Sequence, residues 1–372
     1  MKKTWLGLCF LILIPFLVSM DKSHNDEHLY ALFESEEGTA FLSYAENWNE
    51  DKLKDLHEEL LKNPHGKEIH NLSRISVYPN KNKDVNGLYY TDIKEIRLYN
   101  GKENKEAINF RYTLSHEYGH HIQNTYFPEI SKQLHTTWSK LRGIDDMPIM
   151  KGNSGDEKGE HKWYASEIFA EDYVMLYSAT KPIQAKDLEE RDDVYYLSQE
   201  HENSEVSNVM ENQKLQKWLE EKTGFLIDQK RMISTMKPVS LKVTDQPFFS
   251  PILTMDAKAN DHTQFYEKAT FYKEQSNEMY KWNDEDEKIT STVNNQGQLE
   301  ETIGYMTKWL PKTKSSYKGV YELKYTQIDT DTNLAVTSPP IYILVKNKED
   351  MRLLSEKESK EIETKLIKKQ AK

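Results

Sequence analysis

Residues 114–123 read LSHEYGHHIQ, and their spacing decides both the local fold and the chemistry. Leu114 and Tyr118 stand four positions apart, which predicts the apolar stripe of an amphipathic helix. His116 and His120 repeat the same interval on a second stripe, so their rings project from one face, one turn apart. We therefore predict a helix here that presents two imidazoles side by side.

Two neutral imidazoles at this spacing can bind one Zn²⁺. Glu117 stands beside them, angled so that its carboxylate reaches a water on the metal rather than the metal itself. Bound zinc lowers the pKa of that water to about 7, and the glutamate then takes its proton. Gly119 would let a neighbouring backbone approach the helix closely. The pattern predicts a hydrolytic zinc centre, and the competing interpretation is a polar helix face without metal.

A site of two histidines and a water requires a third protein ligand. Gln123 and Tyr126 exclude a third histidine within the same helix motif. The stretch ASEIFAEDY (165–173) offers Glu167 and Glu171, four apart on one face of an otherwise apolar helix. Buried carboxylates are costly unless something positive meets them. We expect Glu167 to bind the metal and Glu171 to accept the N–H of a ligand histidine.

The segments HEYGHH (116–121) and EIFAED (167–172), with a preceding strand pair in LYYTDIKEIRLY (88–99), resemble the gluzincin zinc metallopeptidases. The similarity is greatest to the catalytic domain of anthrax lethal factor and to the secreted Pro-Pro endopeptidases. It covers roughly residues 70–180 and implies a zincin-like fold. The resemblance also implies specific roles: metal ligands His116, His120 and Glu167, and general base Glu117.

One position departs from the pattern of those relatives. They carry a tyrosine seven residues before the ligand glutamate, where it helps to stabilise the oxyanion, whereas this chain has Glu160 there. Tyr164 and His161 are the nearby candidates for the same role. We expect Tyr164 to be the donor, because a phenol carried on a helix is better preorganised than a residue of the preceding loop.

The composition restricts the class of protein. The chain has 372 residues, of which 30% are charged, with a formal net charge of -11. Nucleic acids and anionic membranes bind basic surfaces, so neither is an expected partner. With 22 Tyr and 7 Trp the composition is that of a folded protein rather than a disordered one.

The first twenty residues have the layout of a secretory leader. MKK is a short basic start, the apolar run 5–18 follows, and a polar segment comes next. An uncleaved membrane anchor is the alternative, since Ser19 and Met20 make a poor cleavage site. Removal of residues 1–20 would take away Cys9, the only cysteine. A Cys-free exported chain is typical of proteins secreted by, or held at the surface of, Gram-positive-type bacteria.

The remaining chain divides by residue pattern. Residues 21–236 are expected to form an α+β metallopeptidase domain, with an amphipathic helix over 43–62. Residues 237–347 contain short β-branched and aromatic runs and predict an immunoglobulin-like β-sandwich. Residues 348–372 form a charged tail, predicted to be a solvated helix or disordered. KEIRLY (94–99) is the expected edge strand that would take an extended peptide by β-augmentation.

These patterns together predict a secreted or cell-surface zinc endopeptidase that cleaves a protein or peptide substrate through a zinc-bound water and Glu117. A surface-binding protein is the alternative, in which the β-sandwich binds the partner and the zinc site is structural or vestigial. A structural zinc would need a fourth protein ligand, and His161 is the obvious residue for it. A zinc hydrolase acting on cell-wall amides is a third possibility.

Overall fold

The structure of the protein is a computed structural model that describes residues 28–83, 85–151, 160–180, 198–244, 250–257, 262–275, 278–289, 297–302, 319–347 and 350–370. The predicted leader, residues 1–20, lies outside the described residues. Within them the protein is a mixed α+β structure, as predicted. The described residues form two compact units, one within Met1–Glu58 and His70–Phe110 and the other within Glu59–Ile69 and Arg111–Lys372.

The first unit is built on a five-stranded sheet. Its strands are β1 (Ala31–Glu34), β2 (Ala40–Ser43), β3 (Arg74–Val77), β4 (Gly87–Tyr90) and β5 (Glu95–Leu98). The spatial order is β1-β2-β3-β5-β4, with parallel pairing at β2–β3 and β3–β5 and antiparallel pairing at both margins. Ile75 and Ile96 lie opposite each other on the central strands and are fully buried, which places the core of this unit on their face.

The prediction that residues 94–99 form an edge strand is wrong. β5 lies between β3 and β4, so the backbone groups on both of its sides face neighbouring strands. On that side of the sheet the outermost strand is β4. An extended peptide therefore cannot add to the sheet along β5.

Helix α1 (Glu50–Leu61) begins later than the predicted Ser43. Ser43 is the last residue of β2, and its hydroxyl makes local hydrogen bonds to the backbone of Ala45. Asn49 caps the helix instead, because its side-chain oxygen accepts a hydrogen bond from the backbone N–H of Lys52 at 3.1 Å. The predicted amphipathic character is confirmed, since Leu53, Leu56 and Leu60 are buried on one side of the helix.

Within the described residues, the second unit has four helices before its β-rich region. They are α2 (Arg111–Tyr126), α3 (Thr137–Arg142), α4 (Ala165–Tyr177) and α5 (Gln213–Thr223). As predicted for Gly119, α2 and α4 approach closely there: a Cβ on this residue would lie 3.1 Å from the Cα of Ala170. Every residue of α4 is buried. The carboxylates of α4 therefore lie inside the protein and must find partners there.

The β-rich region of the second unit consists of two antiparallel sheets. Its strands are β6 (Lys237–Thr244), β7 (Ser250–Asp256), β8 (Thr263–Gln275), β9 (Glu278–Ile289), β10 (Gln298–Thr302), β11 (Gly319–Asp329), β12 (Leu334–Thr337), β13 (Ile341–Asn347) and β14 (Asp350–Leu353). The sheets have the orders β10-β7-β6 and β14-β13-β11-β8-β9, and β12 pairs with β11. One buried cluster includes Leu253 and Leu299 of the smaller sheet and Phe271 and Tyr321 of the larger, so the two sheets share a core.

The predicted charged tail ends in helix α6 (Glu356–Gln370). Its apolar side is not solvated, because Ile362 and Leu366 pack against Val320 and Tyr342 of the larger sheet. Within the described residues, no helix has the length and apolar character needed to cross a membrane.

Candidate metal centre

The site is built on the face of α2 that meets α4. The opposite stripe of α2 is apolar, and Leu114, Tyr118 and Ile122 are buried along it. Since that stripe fixes the rotation of the helix, His116 and His120 project towards α4. Their rings lie 5.0 Å apart between centroids and are nearly perpendicular, at 83°.

Three donor atoms from the two helices converge. The Nε2 atoms of His116 and His120 lie 3.1 Å and 3.2 Å from the same oxygen, Oε2 of Glu167. Each of the three residues offers a ligand atom, and these atoms all lie within 4.8 Å of one another. Two imidazole nitrogens and one carboxylate oxygen fit a zinc site that leaves one position for water or substrate. This group of residues could hold a metal ion.

Glu167 is held in its charged form. Burial by itself would raise the pKa of this carboxyl, but the charge of His120 and hydrogen bonds from both histidines outweigh it. The pKa of Glu167 is consequently well below its usual range. A metal ligand has to be deprotonated, so the surroundings favour the binding form.

Glu171 holds His116 from behind. It is buried one turn after Glu167, and its Oε1 atom lies 2.8 Å from Nδ1 of His116. The hydroxyl of Tyr112 donates to the same oxygen at 2.7 Å. Burial opposes ionisation of Glu171, but its hydrogen bond and charge interaction with His116 lower its pKa. A carboxylate on Nδ1 directs the Nε2 lone pair of His116 towards the other donors.

Glu117 lies in a buried position next to the three donors and is 6% exposed. Its pKa is raised, chiefly by burial, although the nearby charges of His116 and His120 act in the opposite direction. A carboxylate with a raised pKa is a stronger base than one in water. Glu117 is therefore a stronger proton acceptor than a solvent-exposed glutamate.

The two predicted oxyanion donors lie in different surroundings. His161 begins the 3-10 turn His161–Trp163, and its side chain is half exposed with Nε2 at 3.4 Å from Oε2 of Glu167. Tyr164 precedes α4 as its N-cap residue and is 3% exposed, within the core. Glu160, at the position of the relatives' tyrosine, has a side chain that is 71% exposed. Nε2 of His161 therefore reaches the oxygen shared by the donor atoms, whereas the role expected for Tyr164 stays a prediction.

Two further residues of the site were not identified from the sequence. Tyr112 stands four residues before His116, and this helical spacing could have indicated it. The second is Glu202, whose Oε2 atom lies 2.8 Å from Nδ1 of His161. This contact raises the pKa of His161, and burial only partly opposes the effect. No spacing rule points to Glu202, because it belongs to a segment without regular structure.

A protein-family model with the description ":-like" matches residues 48–222. The match covers just under half of the chain and its description states no activity. It includes all the residues of the site described above and ends before the β-rich region. No curated protein and no solved structure matches the chain.

Proposed function

We propose that the protein is a zinc-dependent peptide hydrolase of the gluzincin type. The observation that carries this proposal is the convergence of His116, His120 and Glu167, with Glu171 on the far nitrogen of His116. A polar helix face without metal would not require two helices to bring three donor groups together around one buried carboxylate. The buried base beside them, Glu117, is the further group that hydrolysis needs.

Each residue has a distinct role in this proposal. When bound, zinc would lower the pKa of water and polarise the scissile carbonyl. Glu117 would take the proton of the attacking water and pass it to the leaving amine. In place of Tyr164, the donor expected from sequence, His161 in its protonated form would donate from Nε2 to the developing oxyanion, because its ring is half exposed and lies close to Glu167. Glu171 would keep His116 in position.

The remaining parts of the proposal concern the setting of the enzyme. We propose an exported protein that acts outside a Gram-positive-type cell on a protein or peptide substrate, attached to the membrane only if residues 1–20 are retained. The two β-sheets that share a core would form an immunoglobulin-like domain following a zincin-like domain. The acidic balance of the chain favours neither nucleic acid nor an anionic membrane surface as a partner.

The decisive experiment combines metal analysis with a peptide-library cleavage assay. The purified wild-type protein should contain one zinc per chain and cleave peptides, and a chelator should abolish cleavage. His120→Ala and Glu167→Ala should lose the metal. As a matched control, His121→Gln changes the neighbouring histidine, which is fully buried on the other side of α2, and should retain zinc. Full zinc occupancy in His120→Ala or Glu167→Ala would refute the ligand assignment.

A structural zinc is the second candidate function, and the position of His161 favours it. Nε2 of His161 is directed at the same carboxylate oxygen as the two histidines of α2, so the ring could complete a four-ligand site. His161→Ala separates the candidates. A structural site would lose zinc and melt at a lower temperature, whereas a hydrolytic site would keep its zinc and lose turnover.

A further inference from the structure

The 3-10 turn that carries His161 is held by a second segment of the chain, residues 198–203. Asn203 donates from its side-chain amide to the carbonyl of Lys162 at 2.9 Å. Glu202 places its carboxylate 2.8 Å from Nδ1 of His161, and its backbone N–H lies 3.4 Å from Oε2 of Glu171. One residue, Glu202, therefore contacts both the exposed histidine and the carboxylate behind His116.

The position of this segment is set in turn by the β-rich region. Gln199 makes an isolated parallel bridge to Leu334 of β12. Its N–H donates to the carbonyl of Asn333 at 2.8 Å, and its carbonyl accepts from the N–H of Ala335, also at 2.8 Å. The carboxylate of Glu200 accepts hydrogen bonds from the backbone and the hydroxyl of Thr337. Residues 199 and 200 thus bind β12, and they precede Glu202 by only three and two residues.

A histidine on a half-exposed turn has little packing to hold its ring. The side chain of His161 is 50% exposed, and that of Glu202 is 41% exposed. Without a partner on Nδ1, the ring could rotate away from the site at little cost. A donor is effective only when it is fixed in position before the reaction, and a displacement of about 1 Å can cost about 100-fold in rate.

We infer that Glu202 is a positioning residue that aligns His161 with the site, and that β12 anchors it through residues 199 and 200. This inference rests on the proposed hydrolytic function. It assigns the β-rich region a role in supporting the active site, in addition to any role in binding. It also means that residues 21–236, the expected metallopeptidase domain, depend on the β-rich region for full activity.

The primary test uses the full chain and two neighbouring glutamates. Glu202→Ala should lower kcat about 10-fold to 100-fold, with KM, zinc content and melting temperature close to wild type. Glu205→Ala is the matched control, because Glu205 lies three residues further along the chain and its exposed carboxylate pairs with Lys162 rather than with His161, and it should leave kcat unchanged. Glu202→Gln retains an oxygen that can accept from Nδ1 and should recover most of the activity.

A double-mutant cycle tests whether Glu202 acts through His161. His161→Ala should cost about 10²-fold to 10³-fold. Adding Glu202→Ala to it should then cost nothing further, since the ring to be aligned is gone. Additive losses would overturn the inference, and so would equal kcat values for Glu202→Ala and Glu205→Ala.

The anchoring to β12 is tested by Gln199→Pro, which removes the N–H that Asn333 accepts. It should lower kcat in the same direction as Glu202→Ala. Unchanged kcat in a folded Gln199→Pro protein would overturn the role of β12.

The imidazole resonances of His161 provide a readout that does not depend on turnover. Glu202→Ala should shift the Nδ1 signal, and Glu205→Ala should not. If the wild-type protein cleaves no peptide, the proposed function fails, but the Nδ1 signal still shows whether Glu202 contacts His161. If the wild-type protein cleaves peptides and the signal is unmoved by Glu202→Ala, the inference alone fails.

Discussion

His120 and His121 are neighbours on α2 with opposite surroundings. Nε2 of His120 lies 3.2 Å from Oε2 of Glu167, and its side chain is 14% exposed. His121 is fully buried, and its Nε2 donates to the backbone carbonyl of Glu68 at 2.9 Å. The same residue type therefore directs a ring nitrogen at the candidate metal centre on one face of α2, the front face, and fastens the helix on the opposite face, the back face. The partner, rather than the residue type, decides the role.

The back face is fastened along most of its length to residues 59–69. Three side chains of α2 donate hydrogen bonds to this segment: Arg111 to Glu59 at 3.0 Å, Ser115 to Asn63 at 2.7 Å, and Tyr118 to Glu68 at 2.9 Å. These bonds fix the rotation of α2, which in turn directs the front face at α4. We therefore expect changes on the front face to reduce activity at constant stability, and changes on the back face to reduce stability at constant chemistry.

The largest expected effect is on the front face, at Glu117. Glu117→Gln keeps the shape of the side chain but cannot take a proton from water. Peptide cleavage should fall about 10²-fold to 10⁴-fold, while zinc content and melting temperature stay at wild-type values. Steady-state cleavage of a fluorogenic peptide, together with metal analysis, measures both. A variant that still cleaves near the wild-type rate would show that the base is another residue.

On the back face, the substitution with the largest expected loss of stability is at Glu68. This buried carboxylate accepts hydrogen bonds from the hydroxyls of Tyr118 and Tyr126, at 2.9 Å and 2.7 Å, and from the N–H of Gly66. Glu68→Ala should destabilise the protein by about 2–4 kcal/mol, because the hydroxyl of fully buried Tyr118 loses its partner. Chemical denaturation measures the loss.

Two controls decide how the Glu68→Ala result is interpreted. Tyr126→Phe removes one of the same hydrogen bonds at a partly exposed residue and should cost less. The turnover per zinc-loaded molecule should stay near wild type in both variants. A large loss of turnover at full zinc occupancy would mean that the two faces of α2 are not separable.

The front face was largely predictable from sequence, because helical spacing is a local property. Two i,i+4 pairs, His116 with His120 and Glu167 with Glu171, sufficed to place four side chains on two helices. The buried face of α1 followed from the same periodicity, although its start did not. Ser43, the first residue of the predicted helix, belongs to β2 instead, and sequence alone does not show which of two consecutive elements includes a residue at their boundary.

Contacts between distant segments were not predictable. The position of β5 inside its sheet depends on which strands pair across long connections. The residue pattern of 94–99 is compatible with both an edge strand and an inner strand. Glu202 reaches His161 across 41 residues of sequence, and Glu68 reaches Tyr118 across 50. Neither glutamate lies in a periodic pattern, so only the folded chain reveals their partners.

Gly119 lies where both faces of α2 can be disturbed at once. A Cβ there would meet the Cα of Ala170 at 3.1 Å and the Cβ of Tyr173 at 3.2 Å, so α4 would have to move. Gly119→Ala should destabilise the protein by about 1–2 kcal/mol, since overpacking outweighs the gain in helix propensity. Activity should also fall, because α4 carries Glu167. Thr125→Ala, exposed on the same helix, is the control and should change neither property. Wild-type stability and activity in Gly119→Ala would show that α4 tolerates the shift.

The smallest expected effect tests whether the support of His116 comes from the carboxylate or from the hydroxyl next to it. Nδ1 of His116 and the hydroxyl of Tyr112 share Oε1 of Glu171, at 2.8 Å and 2.7 Å. Tyr112→Phe removes only the hydroxyl, which should cost about 1 kcal/mol, or roughly five-fold in zinc affinity or kcat. Glu171→Ala removes the support itself and should cost about 10-fold to 100-fold.

Competition with a chelator measures the zinc affinity of the two variants side by side. The carboxylate is the support if Tyr112→Phe has the smaller effect and the double variant is no weaker than Glu171→Ala, because the hydroxyl then acts only on Glu171. Equal effects of the two single variants would mean that the hydroxyl holds the carboxylate in place, and that the front face depends on a hydrogen bond from within its own helix.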